Sequence, residues 1–578
     1  MKKIIILFFF TFHFTQGQNF TTEFEKSKGK ETATYQEVID FYTELANTYR
    51  EISLFEAGQT DSGLPLQLIL FNYDGKITPQ QIKKSKKNTI LINNGIHPGE
   101  PDGIDASMMM LRNIVQNKAL KEKFKNIIIA VIPVYNVGGS LNRNSSSRVN
   151  QNGPLAYGFR GNARNFDLNR DFIKNDTKNS VAFSKIFHWV DPDIFIDNHV
   201  SNGADYQYVL THLLTQHNKL GGKAGEFLHQ KFAPELVREL KQKKYDITPY
   251  VNVFNRVPEG SFSQFFDSPR YSTGYTTLFN SIGMMVETHM LKPYDIRVKG
   301  TYQFMLTALD LLVKNGKEIR QIRKNAYKEV IRKDKYPILW QIDSSKTSTL
   351  QFKGFEGKRI KSEVTGLQRL KYDRSKPFTK PITYYNFFKP KKEIVIPKAY
   401  IIPQGWLKII QHLKNNNIYF YPLTTDTVIE VENYHIADYK TSGKVFEGHY
   451  VHYNTQVSKT IEKKKFRKGD LVVPTDQKGV RYLLETLEPE ATDSFFNWNF
   501  FDTILQRKEG FSPYVFEDLA VEILKNNPEL KKSFKEKKRS DKKFSQNWYA
   551  QLNYIYTNSK YQEKAYLQYP VYRIVRKD

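Results

Sequence analysis

Three short apolar runs, each closing on residues able to hold a metal or move a proton, constrain this chain most. Asn88-Thr89-Ile90-Leu91-Ile92 leads into Asn93-Asn94-Gly95-Ile96-His97-Pro98-Gly99-Glu100-Pro101. Ile194-Phe195-Ile196-Asp197-Asn198 ends on His199, and Ser281-Ile282-Gly283-Met284-Met285-Val286 ends on Glu287. Near-continuous apolar, β-branched runs of this length are the pattern of strands buried on both faces. Helical spacing fills the intervals. Ile104, Met108, Leu111 and Val115 recur on one helical face after the first run, and further helices are expected at Lys178 to Val190 and near Glu226 to Lys241. Strands alternating with helices predict an α/β fold with a mixed, mostly parallel sheet flanked by helices. Ligand sites of such sheets lie beyond the carboxyl ends of the strands, where His97, Glu100, His199 and Glu287 all fall.

A chain of 578 residues calls for two or three domains. Thr34-Tyr35-Gln36-Glu37 has the pattern of a helix capping box, after which Tyr35, Ile39, Tyr42, Leu45 and Tyr49 trace one face. Strands are predicted at Leu64 to Phe71 and Asn126 to Tyr135. From Asn136 to Phe172 no periodicity survives; long irregular loops in compact domains are commonly functional. A helix from about Tyr302 to Val313 closes a first domain over residues 18–320, and the charged stretch Lys314 to Lys335 reads as a connector. Short strand-like runs such as Glu393 to Pro397 and Thr427 to Val431 place a β-rich module at 336–475, followed by a helical C-terminal region at 476–578.

Met1-Lys2-Lys3 and the apolar run Ile4 to Phe12 have the form of a secretory signal over residues 1–17, with cleavage near Gly17 exposing Gln18. A secreted or periplasmic protein is expected. The run is too short to span a bilayer, and no other stretch approaches the ~18 apolar residues needed, so no transmembrane anchor is expected after cleavage. The absence of cysteine excludes disulfides, a lipidated cysteine, thiolate ligands and a cysteine nucleophile. Histidines and carboxylates remain as zinc ligands. A net charge of +27 raises the question of nucleic acid, but export argues against that partner. The densest basic run, Lys531 to Arg539, reads as the solvated face of a helix.

A catalytic zinc takes three protein ligands and leaves a fourth position for water. His97, Glu100 and His199 suit one such ion. His188 falls within a helix, His212 in a loop, and His217 and His229 in a helical stretch away from any strand end, so none competes with His199. Peptide hydrolysis also needs a proton carrier between water and leaving nitrogen. Glu287 fits by position, although a strand-end glutamate fits a salt bridge equally well. Glu100 is followed by Pro101, not histidine, so the motif is not the contiguous His-x-x-Glu-His helix of another zinc peptidase class.

In content and order these residues resemble the zinc carboxypeptidases of the carboxypeptidase A type. The resemblance spans roughly Tyr35 to Leu312 and rests on His97-Pro98-Gly99-Glu100, Asp167-Leu168-Asn169-Arg170-Asp171-Phe172, His199 and Val286-Glu287-Thr288. It implies that His97, Glu100 and His199 hold one zinc and that Glu287 is general base and acid. It also implies that Asn169 and Arg170 grip the terminal carboxylate of the substrate, a bidentate task suited to a guanidinium. The oxyanion-stabilising arginine of the family falls on Arg160 by preference, with Arg148 as the alternative. The tyrosine that closes over substrate falls on Tyr271 or Tyr275. Asp171 stands where family members often carry asparagine. Arg270 to Phe279, expected to shape the pocket for the terminal side chain, contains no acid, so a preference for terminal Lys or Arg is not expected. The residues before His97 already supply domain elements, so control by an inhibitory prodomain is not expected either.

The resulting expectation is a secreted zinc metallocarboxypeptidase acting on peptides or proteins with a free C-terminal carboxylate. An amidase or endopeptidase of cell-wall peptides on the same fold is the nearest rival. A catalytically silent peptide- or glycan-binding protein is a further one, against which the intact ligand set and Glu287 count. Outside this domain, Glu447-Gly448-His449-Tyr450-Val451-His452 imitates a metal motif, but on a regular strand His449 and His452 would face opposite ways. The aromatic block Phe495 to Phe501 suits core packing better than sugar stacking.

Overall fold

The structure is a computed structural model that describes residues 20–576; the expected signal segment, residues 1–17, lies outside the described residues. The strands of the N-terminal half are β1 (Ile52–Gln59), β2 (Pro65–Phe71), β3 (Asn88–Asn93), β4 (Ile127–Ile132), β5 (Ile194–Ser201), β6 (Leu210–Leu214), β7 (Ile247–Pro249), β8 (Ser261–Ser263) and β9 (Ile282–His289). All but β8 form one eight-stranded sheet in the order β1-β2-β4-β3-β5-β9-β6-β7. Its central strands β4, β3, β5 and β9 run parallel, as their buried apolar runs require. β1 and β2 extend one side antiparallel, and β6 returns antiparallel along β9.

Side-chain alternation clothes the two faces of the sheet differently. Ile90 and Ile92 of β3 point into a core with helices α1 (Tyr35–Thr48), α2 (Asp102–Gln116) and, beyond the sheet, the helix Tyr294–Ile331. Leu91 points the other way, against α3 (Lys178–Val190), through Phe183, Ile186 and Phe187. The capping box of α1 forms as expected, Thr34 and Glu37 each accepting the other's backbone N–H. Of the expected face, Tyr42 and Leu45 are buried and Tyr35, Ile39 and Tyr49 half-buried, while Val38 and Phe41 complete the buried stripe and turn it slightly. The helix Tyr294–Ile331, α4, is continuous for 38 residues and absorbs most of the expected connector. Asn315, Gly316, Ile319, Ala326 and Val330 keep it buried past Val313.

The second half is β-rich, with helices at its end. β10 (Lys335–Ile342) pairs β13 (Phe388–Val395), and the long hairpin of β11 (Ser348–Lys361) and β12 (Gln368–Tyr385) reaches back to pair β8. A six-stranded sheet contains β14 (Ala399–Ile402), β15 (Tyr421–Pro422), β16 (Thr427–Thr441), β17 (His452–Phe466), β18 (Leu471–Pro474) and β19 (Tyr572–Ile574). Because β19 pairs β14 and β16, residues on both sides of position 475 share this sheet. Lys531 to Arg539 lies along an exposed helix, Pro528–Ser540. Phe495, Phe496, Trp498 and Phe501 are fully buried, in the same apolar cluster as Leu91, Tyr275 and Leu278. The two halves therefore share a core. Among the described residues, no helix is long and apolar enough to cross a membrane.

Candidate active site

β3 stops at Asn93, and the chain crosses the carboxyl edge of the sheet before α2 begins at Asp102. The start of α2 is pinned there, because the Asp102 carboxylate accepts Arg297 Nε of α4 at 3.0 Å and Thr288 Oγ1 of β9 at 2.5 Å. Gly103 lets α2 approach β5: a Cβ at this position would lie 2.5 Å from Asn198 Cβ. That approach brings Glu100 beside His199.

His97 Nδ1 lies 3.4 Å from Glu100 Oε1, and His199 Nδ1 lies 3.2 Å from Glu100 Oε2. One ligand atom from each of the three residues falls within 4.8 Å of the others. Among the described residues, no other three such side chains converge in this way. Each of the three is 3% exposed. The outward nitrogens each face a carboxylate: His97 Nε2 is hydrogen-bonded to Asp167 Oδ1 at 2.9 Å, and His199 Nε2 lies 2.9 Å from Asp197 Oδ2 as an ion-pair contact. An outer carboxylate of this kind fixes ring orientation in zinc sites and leaves the inner nitrogen for metal. His97 Nδ1, buried and without a hydrogen-bond partner, is consistent with that arrangement. The donor set and the inward nitrogens fit a zinc ion.

The charges reinforce the site. Burial would raise the Glu100 carboxyl, but Arg148 and the two histidines hold it well below the usual range. Burial likewise opposes charge on His199, yet Asp197 and Glu100 hold it well above an ordinary histidine. Glu287, the register partner of His199 across β5 and β9, is half-buried. Burial pushes it up to about 8, with the Glu100 charge adding and His199, Arg148 and Arg160 opposing.

Arg148 and Arg160 both reach the same ligand oxygen. Arg148 Nη1 is 2.6 Å from Glu100 Oε1, while its other nitrogens donate to Gln151 Oε1 and to the Val200 carbonyl. Arg160 Nη1 stands 3.5 Å from Glu100 Oε1, its Nε and Nη2 bind Asp167, and it is 45% exposed. Arg170 lies on the same loop, its guanidinium 4.5 Å over the Tyr271 ring. Asn169 Oδ1 accepts the Ser272 N–H at 3.3 Å, which joins that loop to the segment after Tyr271. Tyr275 is elsewhere: it is fully buried, and its hydroxyl donates to Asn416 Oδ1 at 2.7 Å. Asp171 is buried as well, accepting from Thr177, Ser180, Lys174 and the Asp176 N–H, so it braces the loop rather than facing substrate. His188 and His229 sit in helices, His217 opens another, and His212 lies in β6, not in a loop as expected.

Sequence reasoning passed over several neighbours. Asp167 is visible in its motif, but its bond to His97 is not. Asp267 stands just before Arg270 to Phe279, the stretch expected to shape the side-chain pocket; it is buried, accepts from Thr273 Oγ1, and burial pushes it up to about 7 while Arg170 and His199 oppose. No spacing rule could have found Glu447, whose carboxylate accepts the Asp167 N–H at 2.9 Å from the far half of the chain.

A parallel-centred α/β sheet with a His-Glu-His cluster at its carboxyl edge is a setting suited to a metal ion. Residues 38–193 match the family described as Zinc carboxypeptidase. The chain is 22% identical over 441 residues to Carboxypeptidase 2 of Trichophyton rubrum, covering 71% of this chain and 73% of that one. The same figures hold for Carboxypeptidase 2 of Trichophyton equinum. Among solved structures, a metallo-carboxypeptidase from Burkholderia cenocepacia is similar at 15% identity and a TM-score of 0.37, over 49% of this chain and 70% of that one. Carboxypeptidase A from Helicoverpa armigera is similar at 12% identity and a TM-score of 0.38, over 49% and 74%. The match to the zinc carboxypeptidase family thus lies in residues 38–193, and the similar curated proteins are carboxypeptidases.

Proposed function

We propose that the protein is a secreted, zinc-dependent carboxypeptidase that removes C-terminal residues from peptides, with His97, Glu100 and His199 as ligands and Glu287 as general base and acid. The observation that carries this reading is the placement of Glu287 as register partner of the ligand His199, beside a converged His-Glu-His set. Zinc in that set would supply a Lewis acid and lower the pKa of water. Glu287 then takes a proton from the attacking water and passes it to the leaving nitrogen, a role that suits its place beside the ligand set.

Arg170 and Asn169 anchor the terminal carboxylate, and Tyr271, stacked on Arg170, is the tyrosine that closes over the bound residue, a role its contact with Arg170 supports. Arg160 is the cation for the developing oxyanion, because it is half-exposed at the rim of the ligand set with Asp167 holding its guanidinium, whereas Arg148 is locked on Glu100, Gln151 and Val200. The signal-like sequence at residues 1–17 supports secretion. Paired peptide substrates test the exopeptidase reading. Arg170→Ala should cost peptides with a free C-terminal carboxylate about 2–3 kcal/mol in kcat/KM and amidated peptides far less. Equal losses on both would remove the carboxylate anchor and with it the exopeptidase assignment.

A further inference from the structure

The hairpin of β16 and β17 does not end in solvent. Its connecting segment bends back onto the N-terminal half, closed by reciprocal backbone bonds between Phe446 and His449. The two residues at the tip, Glu447 at φ 50° and Gly448 at φ 79°, both take left-handed backbone. Two such residues make the tight turn that a two-residue hairpin needs, and Gly448 also lacks a Cβ that would meet the Phe166 ring at 3.1 Å. Glutamate is a poor choice for the other position, since left-handed backbone is costly for a long side chain.

That residue nevertheless does something specific. One oxygen of Glu447 accepts the backbone N–H of Asp167 at 2.9 Å. Asp167 in turn sets one carboxylate oxygen 2.9 Å from His97 Nε2 and the other 3.0 Å from Arg160 Nε. On the far side of the tip, His449 Nε2 lies 2.6 Å from Asp176, which also binds Lys174 and Lys408. The turn thus clamps the loop of Asp167, Asn169 and Arg170 at two points. Arg270, one residue before Tyr271, packs against Phe446 at 5.6 Å and Trp498 at 4.8 Å and is bound to Asp493. Both segments expected to contact substrate are therefore braced from the second half.

From this we infer that Glu447 is a positioning residue for the metal centre: by fixing the Asp167 backbone it aims the Asp167 carboxylate at His97, and the β-rich half is an integral wall of the site. The inference rests on the proposed zinc set. A glutamine at 447 can still accept the Asp167 N–H, whereas alanine cannot, so the two variants separate the hydrogen bond from simple bulk and charge.

The test uses the full chain as wild type, Glu447→Ala, Glu447→Gln, Gly448→Val and the exposed hairpin control Val445→Ala. Each is loaded with zinc for chelator competition and with cobalt(II) for its visible spectrum, after circular dichroism has shown the native fold. Glu447→Ala should weaken zinc retention roughly tenfold, at the lower end of losses for outer partners of metal ligands, and should shift the cobalt bands. Gly448→Val, which pushes the tip off Phe166, should do the same and stands in if Glu447→Ala fails to fold. Glu447→Gln and Val445→Ala should match wild type. Unchanged zinc affinity and cobalt spectrum in Glu447→Ala and Gly448→Val, with wild type holding one zinc, would overturn the positioning role alone. A Glu447→Gln variant as weak as Glu447→Ala would overturn it too. A wild type that retains no zinc would overturn the ligand set itself and this inference with it.

Discussion

At the scale of single residues, the site is a set of charges whose burial is offset by neighbours. Glu287 is the residue on which the proposed chemistry depends, and Glu287→Gln keeps its size while removing the proposed proton transfer. Its kcat should fall by about 10²- to 10⁴-fold with zinc content near wild type, read by peptide hydrolysis and metal analysis together. Activity close to wild type would sink the proposed role. A different buried acid sets a pH dependence of stability. Asp105 on α2 accepts Thr32 Oγ1 and Tyr294 OH, each at 2.5 Å, and burial pushes it from 3.8 to about 6. Between those values the folded state holds a proton that the unfolded chain has released. Its contribution is therefore fully present at pH below about 3.8 and is lost as pH rises through about 6. Urea melts at pH 4.5 and 7 should show a slope that Asp105→Asn flattens; an identical slope in the variant would mean that another group is responsible.

Among elements, the junction of α2 and α4 decides whether the metal loop is held. Arg297 of α4 is fully buried and forks onto Asp102, while also donating to the carbonyls of Asn152, Gly153 and Lys292. Removing one partner of a buried ion pair leaves the other uncompensated, so Arg297→Ala should destabilise the fold by about 3–5 kcal/mol. Arg297→Lys should recover little, because an ammonium cannot reproduce the fork. Denaturant midpoints check both, and a loss below about 1 kcal/mol for alanine would show that this junction is not a main support. Much at this scale was legible in the chain. The run Ile90-Leu91-Ile92 can satisfy two apolar faces only as an inner strand, and Lys178–Val190 forms the helix its spacing predicts. His97, Glu100 and His199 could be found because strand ends place them. Tyr275 could not be told from Tyr271 in this way. The two lie one helical turn apart, and only packing against Phe172, Phe183 and Phe187 sends Tyr275 inward. Asp267 and Glu447 were illegible for a related reason: what places them near the site is tertiary contact, which no local period encodes.

On the level of the whole molecule, the two halves behave as one body. Phe279 stacks on Tyr482 at 5.9 Å, the Lys219–Glu485 pair is buried at 2.7 Å, and Arg481 donates to the carbonyls of Lys219 and Leu220. A chain cut after residue 335 would present the Tyr275, Leu278 and Phe279 surface to water, a patch of the kind that drives aggregation. Such a fragment should be recovered aggregated, or with lost near-ultraviolet dichroism and no bound zinc. A monodisperse, cooperatively unfolding fragment that holds zinc would show that the first half is autonomous.

The strand β19 carries a consequence in time. The hairpin tip at Glu447 belongs to a sheet whose inner position, between β14 and β16, is filled by Tyr572–Ile574. A chain emerging from its N-terminus exposes His97, Glu100 and His199 long before that strand exists. If Glu447 positions the proposed ligands, residues made early wait on a strand made late, and the finished site would report that the chain has been synthesised and folded as far as β19.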